Sequence, residues 1–240
     1  MSSTLDATGG VLVIADLHLD LSQTSGADAF VAWCDALRPV RELVILGDLV
    51  DAWVGPAHAQ LPAAQKLLAA FTRLHARGTR VHLVHGNRDF LFDERFGAQH
   101  SVTVHPDALL VSCGVQRVLL VHGDLECTRD RGYQRLRRVV RSRPVRTLAR
   151  VLPLWIALPI ARRLRRASVQ AIAYKLPEEK SIQPAAIAAR AQAHAAQVVV
   201  CGHAHAFRDE RLPTVRWIVL DAWGGTRAVL WLDEHGVAVA

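Results

Sequence analysis

Five short runs of valine, leucine and isoleucine recur along this 240-residue chain, and they constrain its fold more than any other feature. The runs span residues 11–15, 43–46, 81–84, 118–121 and 198–201. Uninterrupted apolar runs of this length are typical of strands that other layers cover on both faces. Segments with helical periodicity lie between them, at residues 27–37, 62–77 and 184–195. The pattern predicts an α/β fold of layered sheets flanked by helices.

Two further apolar runs, residues 217–220 and 228–232, follow each other without a helix between them. This arrangement predicts an antiparallel pair of strands at the end of the chain. Hydrophobic residues make up 51% of the chain and charged residues 21%, which excludes an intrinsically disordered protein. The length is typical of one domain, so we expect a single domain over residues 1–240.

Residue types that bind metals follow each of the five runs, at the point where the predicted strand ends. They are Asp16 and His18, Asp48 and Asp51, Asn87 with Arg88 and Asp89, His122 and Asp124, and His203 and His205. Any one of them alone is more often a turn former or a helix cap than a ligand. Because open α/β sheets place their sites beyond the carboxyl ends of the strands, five such groups in one order predict a shared site. Alternate residues of an extended segment point the same way, so Asp16 with His18, and His203 with His205, can converge on a metal.

These five groups resemble the motifs of the calcineurin-like metallophosphoesterases, D-x-H, G-D-x-x-D, G-N-x-[D/E], H and G-H-x-H, across nearly the whole chain. The resemblance implies two metal ions that share Asp48 as a bridging ligand. One ion would be bound by Asp16, His18, Asp48 and His205, and the other by Asp48, Asn87, His122 and His203. A mixed set of oxygen and imidazole ligands favours Mn²⁺ or a similar ion.

The chemistry that this resemblance implies is hydrolysis of a phosphoester or phosphoanhydride, because two neighbouring divalent ions activate water and neutralise phosphate oxygens. We expect Asn87, Arg88 and His203 to act in catalysis. Many relatives have a histidine at position 88 that assists the leaving group, whereas Arg88 carries a fixed charge that can stabilise phosphate oxygens. Three acidic residues are expected to orient the ligands through hydrogen bonds. They are Asp51, Asp89 and Asp124.

The segment from residue 129 to residue 166 holds thirteen arginines and one acidic residue, Asp130. The rest of the chain has sixteen basic and twenty-one acidic residues, so the net charge of +7 comes from this segment alone. The segment also contains aliphatic residues and Trp155, which predicts short amphipathic helices with arginines on one face. A segment of this composition is compatible with a solvated helix surface, a nucleic-acid site or a membrane-surface lid, and its apolar content favours the lid.

Longer strings, at residues 14–19, 45–49, 85–91 and 122–124, resemble the UDP-2,3-diacylglucosamine hydrolases. That resemblance implies cleavage of the pyrophosphate of a UDP-linked diacylated glucosamine in lipid A biosynthesis, to UMP and the lipid phosphate known as lipid X. Water would attack the α-phosphorus. It also implies a peripheral protein on the cytoplasmic face of the inner membrane, with a helical lid at residues 129–176.

The same resemblance implies a set of substrate contacts. They are Asn87, Arg88, Asp130, Tyr133, Arg165, Ser168, Lys175 and His203. The chain departs from the family at Ile172, where a polar contact residue is usual, and at Gly224 and Gly225, where bulkier residues are usual.

Two other interpretations stay open at this point. One is a phosphoesterase that acts on another nucleotide or a cyclic nucleotide, and the other is a binding scaffold without activity. The four cysteines are isolated, which favours a reducing compartment, and we expect no secretory signal and no membrane-spanning segment. We expect a monomer that binds a lipid-linked nucleotide and an anionic membrane surface, and no nucleic acid.

Overall fold

Two six-stranded sheets form the body of the protein. The computed structural model describes residues 4–174 and 177–239, apart from the side chains of residues 168–174, 177 and 180. The strands are β1 (Thr4–Asp6), β2 (Val11–Ile14), β3 (Glu42–Leu46), β4 (Arg80–Val84), β5 (Val102–His105), β6 (Ala108–Cys113), β7 (Gln116–Val121), β8 (Val198–Cys201), β9 (Arg208–Arg211), β10 (Arg216–Val219), β11 (Val229–Asp233) and β12 (Gly236–Val239). One sheet has the order β1-β6-β7-β8-β10-β9 and the other the order β12-β11-β2-β3-β4-β5. This architecture confirms the predicted fold class of layered sheets flanked by helices.

The helices lie around these sheets and in one long segment between β7 and β8. They are α1 (Ser25–Ala36), α2 (Pro62–Ala76), α3 (Glu94–Gln99), α4 (Arg131–Val140), α5 (Arg143–Val151), α6 (Leu154–Tyr174), α7 (Pro177–Lys180) and α8 (Pro184–His194), with a short 3₁₀ helix at Pro56–Gln60. Helices α1 and α2 pack against each other over the second sheet. Valines of both sheets, such as Val13, Val44 and Val111, interdigitate in the core between the sheets. The five predicted runs are therefore strands with no exposed face.

The predicted antiparallel pair at the end of the chain is wrong. Strand β10 pairs in parallel with β8 and antiparallel with β9 in the first sheet. Strand β11 instead pairs with β2 and β12 in the second sheet. Both runs are apolar because both are buried, and burial alone does not specify a partner. Strand β9 pairs with β10 in a hairpin, and β12 pairs with β11. Both β9 and β12 have little or no buried surface, so their sequences contain no hydrophobic run that could have predicted them.

The arginine-rich segment forms helices α4, α5 and α6, but its arginines do not share one solvent-facing side. The side chains of Arg137 and Arg141 are each only 14% exposed. Large apolar side chains face solvent alongside the other arginines of the segment, with Val151 74% and Trp155 75% exposed. Among residues 4–174 and 177–239, no helix has the length and apolar content to cross a membrane.

A cluster of titratable residues is buried at one edge of the second sheet, on three consecutive strands. Glu42 on β3 accepts a hydrogen bond from His82 Nε2 on β4 at 2.9 Å, and also pairs with Arg80. His82 Nδ1 lies 3.0 Å from His105 Nε2 on β5, so one ring donates to the other. Burial, together with the neighbouring His82, lowers the pKa of His105 to about 4. His105 is therefore neutral in the folded protein at pH values where an exposed histidine is charged.

We expect the free energy of unfolding to fall as the pH is lowered from about 6.5 to about 4, because His105 binds a proton in the unfolded chain but not in the folded one. The substitution His105→Gln removes this titration. Between pH 7 and pH 5 the variant should lose less stability than the unchanged protein, by up to roughly 2 kcal/mol, in urea unfolding followed by circular dichroism. His235→Gln, at an exposed position, is the control. An identical pH dependence for His105→Gln and the unchanged protein would contradict this prediction.

Candidate metal centre

The carboxyl ends of strands from both sheets meet at one place, where they present the side chains that the sequence singles out. Asp16 and His18 follow β2, Asp48 follows β3, Asn87 follows β4, His122 follows β7, and His203 and His205 follow β8. Strands β2, β3 and β4 belong to the second sheet, whereas β7 and β8 belong to the first. The site therefore lies across the junction of the two sheets. Residues as far apart in sequence as 16 and 205 contribute to it.

The backbone at this junction is strained. Five of these residues have positive φ angles, which side chains other than glycine rarely adopt. The values are 52° for Asp16, 48° for His18, 51° for Asp48, 68° for His203 and 53° for His205. Such conformations persist only where the surrounding structure enforces them, and they concentrate at functional sites. The two sheets here enforce a geometry that the isolated loops would not adopt.

Glycines let the loops approach each other closely. A Cβ atom on Gly86 would collide with the carboxylate and backbone of Asp48, and one on Gly202 would collide with the Asp16 carboxylate. Gly47 has a φ of 75°, and a Cβ there would lie 2.5 Å from Gly86 Cα. The acidic side chains thus fill the space that these glycines leave open.

Two groups of side chains converge on adjacent points. In the first, His18 Nε2 lies 3.0 Å from His205 Nε2, and His205 Nε2 lies 3.5 Å from Asp16 Oδ1. In the second, His122 Nε2 lies 3.0 Å from Asn87 Oδ1, 3.2 Å from His203 Nδ1 and 3.7 Å from Asp48 Oδ1. Asp48 links the groups, since its Oδ2 lies 3.9 Å from His18 Nε2. All seven predicted ligands are therefore found in one cluster.

Burial and mutual charge shift the pKa values in this cluster. Burial raises the pKa of Asp48 to about 7, with Asp89 and Asp16 adding to the shift and His122 opposing it. Burial opposes the charged form of His122, yet the carboxylates of Asp48 and Asp16 outweigh it and raise its pKa to about 9. Burial and the charge on His122 lower the pKa of His203 to about 4. The cluster thus holds protons in the absence of a cation, and cation binding would release them.

The donor set fits divalent cations. Asp16 Oδ1 is fully buried, and no residue in the described part of the chain donates it a hydrogen bond of normal length. Asp16, His18 and His205 each offer one ligand atom, and these atoms lie within 4.8 Å of one another. Carboxylate, amide and imidazole donors in one buried cluster suit ions such as Mn²⁺ or Zn²⁺. A cation at each group would satisfy these atoms.

The three acidic residues that were expected to orient ligands through hydrogen bonds make different contacts, and none of the contacts described here is a hydrogen bond to a ligand side chain. Asp89 accepts hydrogen bonds from the backbone amides of Leu49 and Gly86, both at 2.8 Å, and so fixes two loops rather than a histidine ring. Asp51 Oδ1 lies 3.8 Å from His18 Nδ1. The ring of His122 is oriented by a backbone group, since its Nδ1 donates to the carbonyl of Leu46 at 2.8 Å.

Asp124 contacts helix α4 rather than a ligand. Its carboxylate accepts hydrogen bonds from the Tyr133 hydroxyl and from Arg137 Nε, the latter at 3.1 Å. Burial opposes its ionisation, but the positive charges of His122 and Arg141 lower its pKa to about 2. Asp124 therefore joins the metal centre to the inserted helices.

Arg88 lies directly over the centre, with a side chain that is 17% exposed. Its backbone amide donates to Asp48 Oδ1 at 3.0 Å, and its Nε lies 3.4 Å from Asp48 Oδ2. The guanidinium also approaches Asp51, with Nη1 3.7 Å from Oδ1. A second cationic side chain, Arg165 on α6, pairs with Asp51 at 2.8 Å and with Asp20 at 3.2 Å.

Of the other predicted substrate contacts, Tyr133 lies on α4 and Asp130 directly precedes this helix. Asp130 Oδ1 accepts from the backbone amide of Tyr133 at 2.9 Å and so caps α4. Lys175 and the side chains of Ser168 and Ile172 lie outside the described residues. Gly224 has open space around it, consistent with the absence of a bulkier side chain there.

A cavity that is open to solvent lies beside the centre. Its lining combines Asn87 and Arg88 with apolar side chains, among them Trp53, Val54 and Leu164. Sequence reasoning missed these apolar residues, and it also missed the inward-facing Arg137 and Arg141. The spacing of Tyr133, Arg137 and Arg141, each four residues from the next, could have indicated one buried face of α4.

Comparison with known proteins gives a consistent set of matches. The family model described as calcineurin-like phosphoesterase matches residues 10–207. A protein of Pseudomonas putida named UDP-2,3-diacylglucosamine hydrolase is 35% identical over 235 residues, which are 96% of this chain and 98% of that protein. Proteins of the same name from Pseudomonas aeruginosa and Aeromonas salmonicida are 34% and 33% identical, and cover 94% and 95% of this chain and 96% and 88% of those proteins.

We expect Asp48→Asn to stabilise the metal-free protein at pH 8, on the order of 1 kcal/mol. The unfolded chain carries an ionised Asp48 above about pH 4, whereas folding buries that charge beside Asp16 and Asp89, so the penalty is complete above its folded pKa of about 7. The same variant should lose the rise in melting temperature that Mn²⁺ gives the unchanged protein. Thermal unfolding with a chelator and with Mn²⁺ measures both effects.

The control for this experiment is Glu210→Gln, an exposed position on β9, which should keep the full response to Mn²⁺. An Asp48→Asn protein that is less stable than the unchanged protein without metal would contradict the expected cost of burying the Asp48 charge. A variant that responds to Mn²⁺ like the unchanged protein would contradict the role of Asp48 as a ligand.

Proposed function

The chain belongs to the calcineurin-like phosphoesterase family and, within it, to the UDP-2,3-diacylglucosamine hydrolases, and we propose that it hydrolyses the pyrophosphate bond of UDP-2,3-diacylglucosamine. It is a metal-dependent hydrolase. The products of the proposed reaction are UMP and 2,3-diacylglucosamine 1-phosphate, an intermediate of lipid A biosynthesis. Matches to relatives of this name over nearly the full length of both chains support the assignment.

The observation that carries the proposal is the cavity beside the cluster of seven ligands. Its lining brings Arg88 and Asn87 together with the apolar side chains of Trp53, Val54 and Leu164. A substrate that fits this combination has phosphate groups close to an apolar portion. A nucleotide with a diacylated sugar meets that requirement, whereas a cyclic nucleotide has no apolar portion to fill the cavity.

The ligand set proposed for one ion is Asp16, His18, Asp48 and His205, and for the other Asp48, Asn87, His122 and His203. We propose Mn²⁺ for both positions, because the donors mix oxygen with imidazole and include no thiolate. When bound, the two ions supply Lewis acidity that activates water and neutralises phosphate oxygens. The strained backbone and the glycine cradle hold these side chains in place before substrate arrives.

Arg88 carries a fixed charge toward the phosphate groups, since a guanidinium does not lose its proton near neutral pH. It therefore stabilises charge but cannot protonate a leaving group. In the proposed reaction an oxygen of water bonds to the α-phosphorus, the bond from that phosphorus to the bridging oxygen breaks, and above about pH 6 both protons of the water go to solvent, because both products are ionised phosphate monoesters. The leaving group is a phosphate monoester with a pKa of about 6, which departs without a proton donor. An arginine at position 88 therefore suits a phosphate leaving group better than it would suit an alkoxide leaving group.

Two further groups act beside Arg88 in the proposed mechanism. His203 is kept neutral by burial, which lowers its pKa to about 4. Its ring can therefore bind a cation or accept a hydrogen bond, and Asn87 contributes an amide oxygen that carries no charge to repel the phosphate. Contacts to the sugar and nucleotide are assigned to Asp130, Tyr133, Arg165, Ser168 and Lys175.

Residues 129–176 form a lid in this proposal, and the lid lies on the cytoplasmic face of the inner membrane. Trp155 and Val151 are among the most exposed apolar side chains of the protein, and arginines surround them in sequence. Apolar side chains can enter the boundary of a bilayer while arginines contact anionic headgroups. A peripheral position would bring the cavity close to a substrate whose acyl chains reside in the membrane.

We expect the purified protein with Mn²⁺ to release UMP from UDP-2,3-diacylglucosamine, measured by chromatography. UDP-N-acetylglucosamine should be turned over with a kcat/KM at least about 100-fold lower, because it lacks the acyl methylenes that the cavity would bury. Reaction in heavy-oxygen water should place the label in UMP. Asp48→Asn is the inactive control.

Equal turnover of soluble UDP-sugars or cyclic nucleotides would favour the alternative phosphoesterase. Absence of UMP release from the lipidated substrate would refute the proposed substrate.

We expect Trp155→Ser to weaken binding to vesicles that contain phosphatidylglycerol by about 10-fold, because a large apolar side chain no longer enters the bilayer boundary. Vesicle flotation measures the bound fraction. The control is Val115→Ser, which removes a fully exposed apolar side chain outside the inserted helices. If both variants bind like the unchanged protein, the inserted helices are not the membrane-facing surface.

A further inference from the structure

Helix α4 is attached to the body by two arginines whose side chains are mostly shielded from solvent. Arg137 Nε donates to Asp124 Oδ2 at 3.1 Å, and its Nη2 donates to Asp107 Oδ1 at 3.2 Å. The Tyr133 hydroxyl donates to the same Asp124 carboxylate. Gln134 adds a hydrogen bond from its side-chain amide to the Asp124 carbonyl at 2.9 Å. One face of α4 is thus a fixed part of the body, unlike the exposed Trp155 region.

Arg141, at the end of α4, reaches the loop that follows β4. Its Nη2 donates to the carbonyl of Gly86 at 2.8 Å, and its Nη1 donates to the carbonyl of Pro106 at 3.2 Å. The guanidinium also lies over the ring of Phe90, 5.2 Å from the centroid. Asp124 Oδ2 lies 3.8 Å away and balances the charge. One side chain therefore joins the loops after β4 and β5.

The loop that Arg141 contacts is the one that presents Asn87 and Arg88. On its inner side, Asp89 Oδ1 accepts from the Gly86 amide at 2.8 Å. On its outer side, the Gly86 carbonyl is bound by Arg141. Gly86 lacks a side chain and is flexible by itself, so hydrogen bonds on both of its backbone groups determine where Asn87 Oδ1 lies.

A guanidinium suits this position because its planar donors span two carbonyls at once. A lysine ammonium is a single point and cannot bind both carbonyls in the same geometry. Loss of the side chain would leave a carbonyl without its donor at a site where few other donors are available. The loop would then relax by the small distances to which metal ligands are sensitive.

We propose that Arg141 is a positioning residue of the metal centre, which holds the Gly86 carbonyl and thereby fixes the amide oxygen of Asn87. This inference rests on the proposed function, in which Asn87 is a ligand of one ion. It also assigns two roles to the inserted segment, since α4 supports the metal centre while the helices after it face outward.

Arg141→Met tests the proposal, with Arg138→Met as the matched control at an exposed position of the same helix, where Arg138 Nε donates to the Gln134 carbonyl of its own helix at 3.4 Å. The first measurement is hydrogen exchange of the backbone amides of residues 86–90 in the metal-free protein. Faster exchange is expected in Arg141→Met and not in the control. Equal exchange in the two variants overturns the proposal, whatever the protein binds.

The second measurement is a calorimetric titration with Mn²⁺. Arg141→Met should weaken one of the two binding events by about 10- to 100-fold, the range typical of lost support behind a ligand, while the other event and the melting temperature change little. Arg141→Lys should show a smaller loss of Mn²⁺ affinity than Arg141→Met. It replaces Arg141→Met in this experiment if Arg141→Met does not fold. Faster loop exchange with unchanged Mn²⁺ binding overturns the coupling to Asn87. If the unchanged protein binds no Mn²⁺, the proposed function fails, and the exchange data alone decide the positioning role.

Discussion

The structure depends on the burial of several carboxylates and imidazoles at the junction of two sheets. Such groups are costly to remove from water unless a cation or a hydrogen bond compensates them. The protein meets this cost through geometry: strained residues, glycines at the points of contact, and backbone amides directed at Asp48 and Asp89. A buried atom that no hydrogen bond compensates, such as Asp16 Oδ1, would be compensated by the cation of the proposed centre. The buried atoms that lower the stability of the metal-free protein are therefore the same atoms that would bind the cation.

The sequence predicted the fold class and the convergence of these side chains, but it did not predict every strand pairing. Proposed ligands such as Asp16 and His122 directly follow buried strands, so their positions derive from local sequence and from a general rule about sheet ends. Strand partners have no local signal, which is why the pairing of residues 217–220 with 228–232 was wrong. Short, exposed strands such as β9 contain no apolar run from which the sequence could predict them.

The inserted helices show a second limit of sequence reasoning. Arginines in a row predict a charged surface, but which of them are buried depends on partners far away in sequence. Asp124 lies thirteen residues before Arg137, and Gly86 lies fifty-five before Arg141. The amino-acid composition does not distinguish the arginines that contact the body from those that face solvent. The structure separates those that hold the body together from those that face solvent with Trp155.

The division of the ligands between the two sheets has a mechanical consequence. Asp16, His18 and Asp48 belong to one sheet, and His122, His203 and His205 belong to the other. Any ion held by both sets would act as a crosslink across the sheet interface, beside the valine-rich core that already joins the two halves. Because these ligands are far apart in sequence, the crosslink cannot form until both sheets have docked. The ions would then stabilise the protein after its two sheets have docked, rather than direct the docking of the sheets.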